Sequence, residues 1–178
     1  MSISPTIRTA TPDDAEAVRA IYAPYVDETA ISFEREAPDA ATMRERIEAR
    51  LASHTWIMAE RDGAVVGYAY AGPFNPRAAY RPTAEVSVYV DRAAARGGIG
   101  HALYAALLDW MRGQGFHSAI GIIALPNAAS VGLHERFGFE HVGTFREVGA
   151  KFGRWHDVGW WQLILSDDTA PSDSEPSG

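Results

Sequence analysis

Cysteine is missing from all 178 positions. Disulfide staples, thiolate zinc sites and a catalytic thiol are excluded together, and the composition suits a reducing cytoplasm. Positive charge is also short: 16 Lys and Arg stand against 23 Asp and Glu, for a formal net charge of −7. Without a polybasic surface, nucleic acid is excluded as the main partner. Asp167, Asp168, Asp173 and Glu175 fall between Ser166 and Gly178 with no base among them. Residues 166–178 therefore read as an acidic disordered tail behind one domain, 1–165. Met1-Ser2-Ile3-Ser4-Pro5 lacks a basic and an apolar region, so no signal peptide is expected. The run Gly113–His134 carries no Lys, Arg, Asp or Glu, but its Gln114, His117, Pro126 and Asn127 are costly in hydrocarbon. No membrane association is expected. The six histidines show no HxH or HxxxH spacing, so no metal site is expected either.

What is present is a mixed α/β pattern. A short strand over 3–8 precedes Thr11-Pro12-Asp13-Asp14, a helix start with N-cap, proline and acids in order. A second helix spans about 39–52, striped by Met43, Ile47 and Leu51. Two strands, 56–60 and 64–72, flank Asp62-Gly63, a tight hairpin signal. Another strand covers 83–90. A helix over 98–112 presents Ile99, Ala102, Leu103, Ala106, Leu107 and Trp110 on one face. A strand at 119–125, a helix at 127–137 and two strands near 139–147 and 158–165 complete the order β-α-α-β-β-β-α-β-α-β-β. So many adjacent strands fit a mixed sheet rather than a doubly wound one.

The most specific local feature is Arg96-Gly97-Gly98-Ile99-Gly100-His101, which joins the strand ending at Val90 to a long helix. Glycines admit a ligand close to backbone amides, and a helix N-terminus adds partial positive charge, so the segment either cradles a pyrophosphate or is a plain turn. Leu103 stands where a dinucleotide fingerprint needs glycine, and no P-loop run exists. A second strand-to-helix junction, Leu125 to Ser130, repeats the geometry.

Five segments, in order, carry a resemblance: Tyr70-Ala71-Gly72-Pro73-Phe74; Thr83-Ala84-Glu85 with Ser87-Val88-Tyr89-Val90; Leu125-Pro126-Asn127; Leu133-His134-Glu135; and Phe152-Gly153 with Trp155-His156-Asp157-Val158-Gly159. From Ile7 to Leu165 the chain resembles the GCN5-related N-acetyltransferases, in particular the phosphinothricin and methionine sulfoximine acetyltransferase subfamily. The resemblance implies an acyl-CoA N-acyltransferase fold, a splayed mixed sheet flanked by helices. Acetyl-CoA would enter between the strands ending near Val90 and Leu125. Val88, Tyr89 and Val90 would pair with its pantetheine arm, Arg96, Gly97, Gly98, Ile99, Gly100 and His101 would hold its pyrophosphate, and Asn127 and Ser130 would touch it from the next helix. Ala95 departs from the Gln or Arg common at the start of this cradle, so that contact is either missing or replaced by Arg96.

The same resemblance places Phe33, Arg77, Tyr80, Glu85 and Ser87 around a small amine acceptor. Acetyl transfer needs a neutral amine, and an amino acid's amine is mostly protonated at pH 7, so a carboxylate at Glu85 suits a general base. His134 stands where many relatives carry a tyrosine that protonates the departing thiolate; a packed core histidine is the other reading. Arg77 has the planar fork that grips a carboxylate or phosphinate, or is simply a solvated loop residue. Phe33 faces substrate or packs in the core. Trp155, Trp160 and Trp161 belong to the core or to a homodimer surface, and the resemblance implies a homodimer. The expected activity is acetylation of the α-amine of a small amino acid or glutamate analogue. A peptide or protein N-terminal amine is the alternative acceptor. More distant readings are a non-catalytic acyl-CoA-binding module and a serine hydrolase, the latter because Ala128-Ala129-Ser130-Val131-Gly132 imitates a nucleophile elbow.

Overall fold

A computed structural model describes residues 4–94 and 97–166. The expected tail from 167 onward, Ala95 and Arg96 lie outside the described residues. Among the described residues, seven strands form one mixed sheet: β1 (Thr6–Thr9), β2 (Trp56–Arg61), β3 (Ala64–Pro73), β4 (Thr83–Val90), β5 (Ser118–Ala124), β6 (Glu140–Lys151) and β7 (Arg154–Ile164), in the order β1-β2-β3-β4-β5-β7-β6. Four α-helices flank it: α1 (Ala15–Glu28), α2 (Ala40–Leu51), α3 (Ile99–Gly113) and α4 (Ala128–Arg136). None is long and apolar enough to cross a membrane.

Local chemistry accounts for most boundaries. Asp62 and Gly63 adopt φ of 53° and 78°, the left-handed pair that a two-residue hairpin requires. Thr11 and Pro12 open a 3-10 turn rather than α1 directly, and Asp14 closes it by accepting from the Thr11 N–H at 2.7 Å and from both Arg8 Nη atoms. Asp39 caps α2 by accepting from Thr42 N at 2.8 Å.

Strand alternation sorts the side chains onto two faces. On β4, Ala84 and Val86 meet Leu103, Leu107 and Ile123 under α3. Tyr89, with Tyr68, Trp56, Val18 and Ile47, packs under α1 and α2. Each fully buried leucine or isoleucine contributes about 1.5–3 kcal/mol. The buried seam of α3 differs from the expected one: Tyr104, Leu108 and Met111 accompany Ile99, Leu103 and Leu107, while Ala102, Ala106 and Trp110 are only half-buried. The last hairpin is longer than expected, with β6 reaching Lys151 and β7 starting at Arg154. Register shifts at His141/Gly143 and Phe145/Gly149 break the alternation that would have marked it.

One feature of the sheet positions the candidate site. β4 and β5 are parallel neighbours only from Thr83–Val86 against Ser118–Gly121. Beyond that point β4 runs on to Val90 still paired with β3, and β5 runs on to Ala124 still paired with β7. Their facing edges, Ser87–Val90 and Ile122–Ala124, are left without each other.

Candidate active site

Two titratable side chains, Glu85 and His134, stand on opposite faces of the sheet where β4 and β5 part. Glu85 is the strand partner of Gly72 on β3 and of Ile120 on β5, one residue before the ladder ends. Its side chain shares a face with Tyr70, Ser87 and Tyr89, the α1/α2 side. Burial holds the Glu85 pKa above the ordinary carboxylate range, and the positive charge of Arg50 offsets part of that rise. The Arg50 guanidinium lies 5.6 Å from the Tyr70 ring centroid and fills the space that a Cβ on Gly72 would need. A cavity of about 470 Å³ opens beside them, lined by Tyr22, Glu34, Arg46, Arg50 and Tyr70 among others. Within it Arg46 is spent on Glu34, through two hydrogen bonds of 2.7 and 3.0 Å.

His134 occupies the other face. Its ring covers Gly121, the last residue of the β4–β5 ladder, where a Cβ would overlap the imidazole. It is 3% exposed, and burial lowers its pKa, so the ring is neutral near pH 7. Nδ1 lies 2.8 Å from the Ser130 carbonyl, an acceptor only, which assigns the proton to Nδ1. Nε2 is then an acceptor, and the Tyr104 hydroxyl donates to it at 2.7 Å. Tyr104 is fully buried, and that burial raises its pKa, keeping the phenol protonated.

At the open end of the gap, Gly98 precedes α3 with φ of 71°, a left-handed conformation that favours glycine. Ala102 N bonds back to Gly98 O at 3.0 Å. The amides of Ile99, Gly100 and His101 are therefore the unpaired first N–H groups of a helix, an anion site in form. Arg61, at the end of β2, braces this turn by donating to Gly97 O at 2.9 Å. Asn127 Oδ1 accepts from Ser130 N at 3.1 Å and so caps α4 across the gap. Tyr25 donates to Val90 O at 2.6 Å and fixes the end of β4.

The remaining expected residues, Arg77, Tyr80 and Phe33, lie on segments outside the strands and α-helices. Arg77 and Tyr80 lie on the exposed turn that leads into β4, and Tyr80 stacks edge-on against Phe74 at 5.6 Å. The Arg77 guanidinium has no partner among the described residues. Phe33, on the loop from α1 to α2, is 37% exposed and rests on Gly149 of β6, 6.0 Å from the His156 ring. Arg96 is outside the described residues. Sequence reasoning passed over Tyr104, Arg50 and Arg61. The signals were a hydroxyl inside an apolar helix seam and a glycine at 72 with no turn to explain it.

Comparison with known proteins gives this geometry its family. The acetyltransferase (GNAT) domain model matches residues 7–160. A phosphinothricin N-acetyltransferase of Streptomyces viridochromogenes is 42% identical over 170 residues, covering 96% of this chain and 93% of the relative. An L-methionine sulfoximine/L-methionine sulfone acetyltransferase of Pseudomonas aeruginosa is 38% identical, covering 92% and 96%. The crystal structure of a phosphinothricin acetyltransferase from Sinorhizobium meliloti in complex with AcCoA superposes with a TM-score of 0.92 at 33% identity, over 97% of this chain and 95% of that one. The chain belongs to the GNAT acetyltransferase family. The serine-hydrolase reading falls with that membership, and Ser130 stands in the first turn of a capped helix rather than on a strained elbow.

The close seat of His134 on Gly121 is testable by a double-mutant cycle. Gly121→Ala should press the imidazole away and break its bond with Tyr104, costing on the order of 1–3 kcal/mol in urea unfolding. In a His134→Ala background the same substitution should cost markedly less. Additive losses would contradict the contact.

Proposed function

We propose that the protein transfers the acetyl group of acetyl-CoA to the α-amine of a small amino acid or a glutamate analogue such as phosphinothricin or methionine sulfoximine. One observation carries the reading: a half-buried carboxylate of raised pKa stands at the last paired residues of two parting strands. The unpaired edges and the Gly98 turn fit the cosubstrate, which supplies an activated thioester. Val88, Tyr89 and Val90 offer their backbone to its pantetheine arm. Gly97, Gly98, Ile99, Gly100 and His101 hold its pyrophosphate, with Asn127 and Ser130 approaching from α4.

Glu85 takes one proton from the acceptor's ammonium group, and its raised pKa brings it closer to the working pH of a general base. The freed amine lone pair then attacks the thioester carbonyl carbon. A C–N bond forms, the C–S bond breaks, and the sulfur departs with the electron pair. It leaves towards the face held by His134. As the nitrogen becomes an amide it sheds its second proton, and the departing sulfur takes up one; because His134 is neutral, with its N–H committed to Ser130 and its Nε2 accepting from Tyr104, the hydrogen-bonded Tyr104–His134 pair relays this proton and no histidinium gives one up. Arg77, Tyr80, Ser87 and Phe33 receive the acceptor on the Glu85 face, Arg77 offering its fork to the acceptor's anionic group. Acetyl-CoA is a cytoplasmic metabolite, and the reaction is placed there.

The protein is also proposed to be a homodimer. Val142, Phe145, Val148, Phe152 and Trp155 are each more than half exposed along β6 and β7. So many exposed apolar side chains on one hairpin favour a protein interface there. A hollow of about 510 Å³ at the hairpin tip, lined by Arg35, Phe152 and Trp155, belongs to this surface rather than to the chemistry. Sedimentation at micromolar concentration should give a dimer, and a monomer alone would refute it.

Free-thiol release from acetyl-CoA across amino acids, the two inhibitors and short peptides tests the acceptor class; faster turnover of peptides would overturn it. For the base, Glu85→Gln should lower turnover at neutral pH by roughly 10²–10⁴-fold with acetyl-CoA affinity unchanged. The deficit should shrink as pH rises toward the amine's own pKa, where solvent supplies free amine. A defect of constant size across pH would mean that Glu85 only shapes the pocket.

A further inference from the structure

The loop from Thr29 to Asp39 carries Phe33, yet it contains no regular structure to hold its shape. Its entry is the C-terminal end of α1, where the last carbonyls have no helical partners and partial negative charge accumulates. No basic residue stands in that last turn. The missing cation arrives from the far edge of the sheet. Lys151 Nζ donates to Val26 O in the last turn of α1 and, at 2.7 Å, to Ser32 O in the loop. One ammonium thus ties the end of the helix to the residue just before Phe33.

Lys151 is 8% exposed, which is unusual for a lysine unless its donors are satisfied. Burial lowers its pKa, and Asp27 and Glu34 counter this without touching it. The neighbours of Lys151 on the hairpin complete the seat. Gly149, two residues earlier on β6, lies flat beneath the Phe33 ring, and a Cβ there would overlap it. His156, whose ring faces Phe33, has Nε2 3.1 Å from Lys151 O. On the other side of the loop, the Tyr22 hydroxyl lies 2.7 Å from Ser32 Oγ and donates to Glu34 at 2.8 Å, and Glu34 is held by Arg46.

We infer that Lys151 is a positioning residue for the acceptor: by clamping Val26 and Ser32 to β6 it presents Phe33 to the amine substrate. The inference rests on Phe33 facing the acceptor. Lys151 touches neither the acceptor nor the thioester and acts through the loop alone, so its loss should be felt in acceptor binding and not in cosubstrate binding.

Lys151→Met keeps the length of the side chain and removes its donors. It should raise the acceptor KM roughly ten- to hundredfold, as loosened positioning does, with KM for acetyl-CoA unchanged and kcat nearly so. Amide exchange over 29–38 should quicken, and Lys151→Arg should restore most of the acceptor KM. If Lys151→Met does not fold, Lys151→Gln, one donor group on a shorter stem, should move the acceptor KM in the same direction. An unchanged acceptor KM, or equal losses for acceptor and acetyl-CoA, would overturn the role. Phe33→Ala separates the two levels of the claim. If it raises the acceptor KM while the Lys151 variants do not, only the clamp is wrong. If it leaves the acceptor KM alone, the acceptor-facing reading of Phe33 fails and the clamp fails with it.

Discussion

The parting of β4 from β5 after Val86 and Gly121 is the constraint on which the rest of the structure depends. A sheet normally satisfies its backbone by pairing every strand along its length, and an unpaired edge inside a sheet costs free energy unless something else fills it. Here both strands stay fixed by their outer neighbours, β3 and β7, so the gap cannot close by either strand drifting. The molecule keeps two strand edges that do not pair with each other, Ser87–Val90 and Ile122–Ala124, on either side of a slot. In the proposed function that slot lets the cosubstrate bind largely through backbone, with the left-handed Gly98 at the start of α3 beside its pyrophosphate.

The same gap resolves an apparent difficulty in the placement of the two reactive groups. Glu85 lies on the α1/α2 face and His134 on the α3/α4 face, so the sheet would separate them if it were continuous. At the end of the ladder they flank one opening. In the proposed reaction, an amine arriving from one face and a sulfur leaving toward the other meet at a carbonyl carbon held between the strands. The Glu85 pKa rises by burial without leaving the charge isolated, because Arg50 lies across Gly72 on the neighbouring strand. The Tyr104–His134 pair is kept neutral by deeper burial.

Much of this was legible in the chain. The element order, the Asp62-Gly63 turn, Glu85 on its strand and the glycine-rich start of α3 are all local signals, set by turn chemistry and alternation. The parts that were not legible are the ones made by distant contacts. Tyr104 occupies an apolar helix seam, where a phenol looks like any aromatic until His134 is seen to accept from it. Nothing local in the chain marks Arg50 or Lys151, yet one lies over a glycine beside Glu85 and the other is buried against carbonyls of α1 and its loop. The full length of β6 was hidden because its two register shifts and exposed apolar residues erase the two-residue period. Glycines with no turn to explain them, at 72, 121 and 149, were the trace these contacts left in the sequence.

Backbone amide exchange with and without acetyl-CoA tests the central claim most directly, because it reads the edges of the gap themselves. The account predicts slowed exchange at residues 87–90 and at 99–101, and little change at 83–86, whose ladder is already closed. Protection confined to the cavity lined by Tyr22 and Arg46, or absent from both edges of the gap, would contradict it.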